Sequence, residues 1–281
     1  MNARRTWRRS WVAILLLTPL LLSGCSVLQG GRLLSPQWAG LEPVAPGLYI
    51  EAGDDEREQA RRGAELQAAL ARAEAAIRQA YGEVRSRPVV HACFTEACYA
   101  AFGGRGSVAK VYGDRILLSP RGLNWHFLAH EWSHTEMRSR LSWRGWWHMP
   151  QWFDEGVAVA ISDAPEHSEA HWRWLVAHDV ARPSAHGLRR LRTLDQWLAA
   201  VHRHGEDQNA QRRARGEPEI HPVYTAAGQA LRPWLQHVGT AGLLRFIEQV
   251  NAGAPFDEAY DAAASAAAGK GQAVKAAEPT R

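Results

Sequence analysis

His130-Glu131-Trp132-Ser133-His134 brings two imidazoles and a carboxylate into five residues. On a helix, positions four apart share a face one turn from each other, so His130 and His134 can reach one ion together. Glu131 lies about 100° further round, beside the pair rather than in it. Neutral histidines suit Zn²⁺, which lowers the pKa of a bound water towards about 7, and a neighbouring carboxylate can take that water's proton. The chemistry on offer is hydrolysis. It needs one more protein ligand, and a pentapeptide this short carries little weight without it.

The downstream sequence narrows the choice. No histidine occupies the third-ligand position of the metzincins, where Arg140 stands instead. Pro150-Gln151-Trp152-Phe153-Asp154-Glu155-Gly156-Val157-Ala158 resembles the W-x-x-E-G-x-A segment of the gluzincin metallopeptidases, the group that includes thermolysin and the zinc aminopeptidases. The resemblance implies that Glu155, on a second helix twenty-one residues after His134, completes a His₂Glu site for one zinc ion. On pattern alone Glu155 is a first-turn carboxylate favoured by the helix dipole. Asp154 is a rival ligand, better suited to capping the helix or supporting a ligand.

Pro222-Val223-Tyr224-Thr225-Ala226-Ala227-Gly228 also looks like the Tyr-Gly helix of aminopeptidase-like gluzincins, with one extra residue between Tyr and Gly. It implies Tyr224 as donor to the developing oxyanion. His221 is the alternative donor, since thermolysin uses a histidine in this region, and a plain core tyrosine is the bland reading. The Gly-x-Met-x-Asn signature of the zinc aminopeptidases is absent. The implied function is therefore a zinc-dependent peptidase, an endopeptidase rather than an exopeptidase, acting on peptide or protein substrates with Glu131 moving protons. The alternative is a catalytically idle zincin-fold lipoprotein that binds or assembles envelope components. A third reading, a deformylase-like hydrolase with Cys93 as ligand, lacks that family's Gly-Cys segment.

The elements that must position these residues follow from pattern. Leu66, Leu70, Ala73 and Ile77 at helical spacing predict an amphipathic helix over Glu56–Tyr81, stopped by Gly82. Arg87–Phe94 reads as a buried strand, followed by a short helix to Phe102 and a hairpin of Val108–Tyr112 and Arg115–Ser119 around Gly113-Asp114. The resemblance implies that the second hairpin strand stands where the zincin edge strand pairs with an extended peptide, an ordinary sheet strand being the other reading. Helices follow over about 123–141, 150–161, 166–180, 194–202, 223–238 (with a kink at Pro233) and 241–250, the last two preceding 256–264. Trp143, Trp146 and Trp147 either pack the connection between the zinc segments, wall a cleft or touch a membrane interface. His167, His171 and His178 read as scattered surface residues. The expected fold class is α+β and zincin-like, a small mixed sheet packed on the H-E-x-x-H helix and followed by an all-helical lobe.

The N-terminus reads as an address. Arg4, Arg5, Arg8 and Arg9 precede an apolar run from Trp11 to Leu22, ending in Leu22-Ser23-Gly24-Cys25. Small residues before a cysteine resemble the bacterial lipobox, which implies cleavage before Cys25, its lipidation, and attachment to the membrane. Ser26, in place of the Asp of inner-membrane retention, implies an outer-membrane lipoprotein facing the periplasm. Removing the four arginines also removes the net charge of +4, so the basic pI near 9.2 gives no support for a nucleic-acid partner. In an oxidising compartment Cys93 and Cys98 form an even pair for a disulfide, free thiols being the other possibility. The expected organisation is a signal peptide over 1–24, a tether over 25–50, the gluzincin-like domain over 51–264 and a disordered tail over 265–281.

Overall fold

A computed structural model describes residues 32–277; the signal segment and Cys25 lie outside the described residues. The architecture is mixed α+β. Strands β1 (Leu41–Ala45), β2 (Leu48–Glu51), β3 (Val89–Ala92), β4 (Ala109–Tyr112) and β5 (Arg115–Leu118) form one sheet in the order β1-β2-β3-β5-β4. The central strands β2, β3 and β5 are parallel, and β1 and β4 run antiparallel to their neighbours. A parallel pair needs a crossover, and α1 (Glu56–Tyr81) supplies it between β2 and β3. Strand alternation separates the two faces. Leu48, Ile50, Val90, Ala92, Ile116 and Leu118 join the main core with the helices, while Leu41, Cys93 and Leu117 pack with Tyr99 and Phe102 on the other side. Cys93 and Cys98 are disulfide-bonded, tying the end of β3 to α2 (Glu96–Ala101).

Two expectations change here. The tether is structured in its last third, where β1 and β2 lie, so the domain begins before residue 51. Only Leu41, Leu48 and Ile50 mark those strands as core elements, too few to show as a pattern. Pro43 is tolerated because β1 is an edge strand. The other edge is β4, not Arg115–Ser119. Ile116, Leu117 and Leu118 are all buried, as a strand covered on both faces requires, so β5 takes the interior place beside β3.

From Trp125 onward the described residues form helices and no strand. The succession is α3 (Trp125–Arg140), α4 (Trp143–His148), α5 (Gln151–Ser162), α6 (Glu169–Ala177), α7 (Ala185–Arg189), α8 (Leu194–Arg203), α9 (Asn209–Ala214), α10 (Pro222–Asn251) and α11 (Phe256–Ala277). Helix α3 starts where the Asn124 side chain accepts from the His126 and Phe127 N–H groups. It packs between α1, the sheet and α5, so most of its circumference is buried, charged residues included. The fully buried Glu136 accepts from the Arg85 and Ser86 N–H groups and the Ser86 hydroxyl, and pairs with Arg140 at 2.7 Å. Removing either partner would strand a buried charge.

Helix α5 meets α10 through two glycines. A Cβ on Gly228 would stand 2.5 Å from Val159 Cγ1, and one on Gly156 would stand 2.9 Å from Leu231 Cγ. Both motif glycines therefore let two backbones approach. Behind this contact Trp152, Phe153, Trp234, Phe246, Phe256 and Tyr260 form an aromatic cluster, with Trp234 and Tyr260 stacked at 4.8 Å. It anchors α11, which runs to Ala277 through part of the segment expected to be disordered; an anchored, alanine-rich chain propagates a helix readily. Helix α10 leaves helical geometry at Gly239 (φ +62°), a conformation open to glycine, and not at Pro233. The predicted 166–180 helix is a 3₁₀ turn over Pro165–His167 followed by α6, restarted when Ser168 accepts from the His171 N–H. Helices α4, α7 and α9 were not foreseen; each has five or six residues, too short for a visible period.

Gly228→Ala is expected to destabilise the protein by about 1–3 kcal/mol through overpacking against Val159. A lower denaturation midpoint with unchanged slope would show it; an unchanged midpoint would mean that the two helices sit further apart.

Candidate metal centre

One turn of α3 places His130 and His134 with ring centroids 4.9 Å apart and their Nε2 atoms 3.3 Å apart. Glu155, the fifth residue of α5, brings Oε2 to 3.3 Å from His130 Nε2 and 3.7 Å from His134 Nε2. Four ligands at 2.0–2.1 Å round a tetrahedral ion stand about 3.3 Å from each other. The three donor atoms therefore have the spacing of three corners of such a site. Among the described residues no fourth histidine, cysteine or carboxylate joins these three.

The surroundings fix each donor. His134 Nδ1 lies 2.8 Å from Asp154 Oδ2, which orients the ring so that Nε2 points to the cluster. Gln151 Nε2 donates to Glu155 Oε1 at 2.9 Å, leaving Oε2 buried with no hydrogen-bond partner. Such an orphan is costly unless it ligates. Two imidazoles, one carboxylate and an outer carboxylate fit a single zinc ion by donor type and geometry. In a cluster holding protons alone, burial lowers the His134 pKa, but Asp154 and Glu155 outweigh it and raise it to about 10. Burial raises the pKa of Glu131, which is 8% exposed and whose carboxylate accepts no hydrogen bond among the described residues.

Tyr224, at the start of α10, has its ring 6.2 Å from the His130 ring. It is stacked on His167 at 5.3 Å and meets Trp197 edge-on at 5.0 Å. Burial and then the Glu155 charge push its phenol well above the ordinary range, so it stays protonated. His221 is further back: its ring meets His167 at 4.9 Å, and burial lowers its pKa to about 4. Of the two proposed donors, Tyr224 is the one whose ring neighbours a histidine of the cluster. Strand β4 lies close by, packed against α3, and the Tyr112 phenol is raised by burial and then by the Glu131 charge.

Two residues of this neighbourhood escape sequence reading. His167, expected at the surface, is buried with Nδ1 unpartnered, and burial lowers its pKa well below the usual value. Glu206 is buried in a stretch that reads as polar and irregular. Its carboxylate accepts from the Val223 N–H at the start of α10, and burial raises its pKa to about 8. No local pattern marks either, because both are buried only by tertiary packing. His171 is half-buried, and His148 and His178 are exposed. The thiol that a deformylase-like site would need is absent, since Cys93 is in the disulfide. Glu51, adjacent to that bond, is occupied in accepting from the Phe94 and Thr95 N–H groups. Compared with protein-family models, curated proteins and solved structures, the chain matched none.

Asp154→Asn should weaken zinc binding about 10- to 100-fold, and Glu155→Ala more, in competition titrations with a chelator. Equal affinity in both variants and the parent would remove Glu155 from the ligand set. Glu206 gives a pH dependence. Its folded pKa of about 8 exceeds the unfolded value of 4.5, so its contribution is full below 4.5 and declines as pH rises to 8. Melting temperature should therefore fall between pH 5 and 8 more steeply in the parent than in Glu206→Gln; parallel curves would contradict it.

Proposed function

We propose that this chain is a zinc-dependent peptidase with a zincin-type arrangement, attached to the bacterial outer membrane through lipidated Cys25 and facing the periplasm. The observation that carries the hydrolytic reading is the spacing of His130 Nε2, His134 Nε2 and Glu155 Oε2 at 3.3–3.7 Å beside an uncommitted Glu131. The cellular address rests on the lipobox resemblance alone. Zinc held by these three residues would supply Lewis acidity, polarising a carbonyl and making water a nucleophile at neutral pH.

The chain's own residues divide the remaining work. Glu131 takes a proton from the attacking water and returns it to the leaving amine, a role suited to a carboxylate raised by burial. Tyr224 donates its O–H to the carbonyl oxygen as negative charge grows there. Asp154 holds His134 in one tautomer. The outer edge of β4 offers backbone groups to an extended peptide running past the site. Since the site residues are nearly buried, each of these interactions acts in a medium poorer in water than the surface.

Glu131→Gln should keep its zinc and lose at least about 10²-fold in peptide hydrolysis. Tyr224→Phe should lower kcat by about 10²–10³ with KM little changed. The readouts are metal content and the cleavage of a peptide library; unaltered hydrolysis by Glu131→Gln would overturn the mechanism.

A further inference from the structure

Helix α4 joins the two zinc segments and is built to show tryptophan to the outside. Gly145 is its buried contact: a Cβ there would stand 2.8 Å from Asn251 Oδ1, the atom that accepts from the Ser142 N–H. At 100° per residue Trp143, Trp146 and Trp147 occupy an arc of about 100° centred opposite Gly145. They are 73%, 45% and 68% exposed. They do not, then, pack the connection between the helices. Their rings touch one another at 6.3–6.4 Å, forming one continuous aromatic surface.

The charge along this stretch of chain has one sign. Residues 137–153 contain no Asp or Glu. Arg138 lies 4.3 Å over the Trp146 ring, and Arg144 and His148 are exposed on the flank of the helix. Tryptophan is favoured at the level of lipid headgroups, with its ring partly in the acyl region and its N–H in water. Arginine beside it complements an anionic headgroup. We propose that the tryptophan face of α4 docks on an anionic phospholipid bilayer.

The membrane is also within reach. This part of the argument rests on the reading of Cys25 as the anchor. Six residues separate Cys25 from Arg32, the first described residue, so Arg32 lies at most about 25 Å from the lipidated cysteine. Within that range a face of the domain can meet the headgroups, and the face of α4 has the chemistry for it.

The test uses the full chain as the cell processes it, reconstituted in vesicles of phosphatidylethanolamine and phosphatidylglycerol, the latter brominated in its acyl chains to quench nearby tryptophan. Trp143→Phe/Trp147→Phe should lose about half or more of the quenching seen in the parent. Arg138→Gln/Arg144→Gln should lose part of it, and zinc content in both variants should match the parent. Equal quenching in the parent and the tryptophan variant overturns the proposal. So does self-association abolished by the same substitutions without any change in quenching, which would assign the face to a second copy. The mass of the N-terminal peptide reads Cys25 acylation independently. A chain without acyl groups whose quenching still depends on Trp143 and Trp147 refutes the anchor and supports the docking face.

Discussion

Electron-pair donors packed together in a buried site repel unless positive charge stands between them. The two imidazole nitrogens and the Glu155 oxygen meet within 3.3–3.7 Å, and Oε2 has no hydrogen-bond donor of its own. Protons offer one relief, as the rise of the His134 pKa to about 10 indicates. A divalent cation offers a better one, because it satisfies all three donors at once and keeps both histidines neutral. Metal and protons must then compete for the site, with metal gaining as pH rises. The rest of the fold serves to hold three side chains from two helices at these separations.

That task explains several features that are otherwise arbitrary. Angstrom-scale placement of Glu155 relative to α3 requires α5 to be fixed on both sides. Toward α10 this is done by removing side chains at Gly156 and Gly228, so that backbone meets backbone. At its N-terminal end it is done by adding bulk, with Trp152 and Phe153 inside an aromatic cluster. Helix α3 is held at its other end by the buried Glu136, which ties it to the loop before β3. Truncating a cluster aromatic in the core typically costs 3–5 kcal/mol. The supports are thus at least as demanding as the ligands they position.

What could be read from the sequence divides along the same line. His130, Glu131 and His134 lie within one helical turn, so local periodicity places them together without knowledge of the fold. Long helices with strong stop signals were equally legible: α1 runs over the span expected for it, to the Gly82 stop. Glu155 needed a resemblance, since nothing local says that its face of α5 is turned to α3. His167 and Glu206 were beyond reach, because each is polar, sits in a short irregular segment, and is buried only by elements far away in sequence. The β4–β5 hairpin was found, but its orientation in the sheet was not: strand order is a property of long-range pairing that side-chain alternation leaves open. The β1–β2 hairpin disappeared into the tether for a related reason, with three core residues among prolines and glycines.

Charge distribution then gives the site a direction. On the α10 side of the cluster the titratable groups around Tyr224 are uncharged near neutral pH, and the Arg232 guanidinium beyond them donates to the His167 carbonyl. Burial lowers the pKa values of His167, His171 and His221, keeps the Tyr224 phenol protonated, and raises Glu206 to about 8. On the α3–α5 side stand the carboxylates Glu131, Asp154 and Glu155. In the proposed reaction a carbonyl oxygen that gains negative charge is repelled by the second group and received by the first, where Tyr224 donates without bringing an anion. The attacking water belongs on the other side, next to Glu131, which must accept its proton. A substrate placed the other way round would put two developing or fixed negative charges together in a medium of low dielectric, at a cost of several kcal/mol. In that reaction His167 and Glu206, the two residues invisible to local pattern, would act without touching substrate, by adding no negative charge beside Tyr224 near neutral pH.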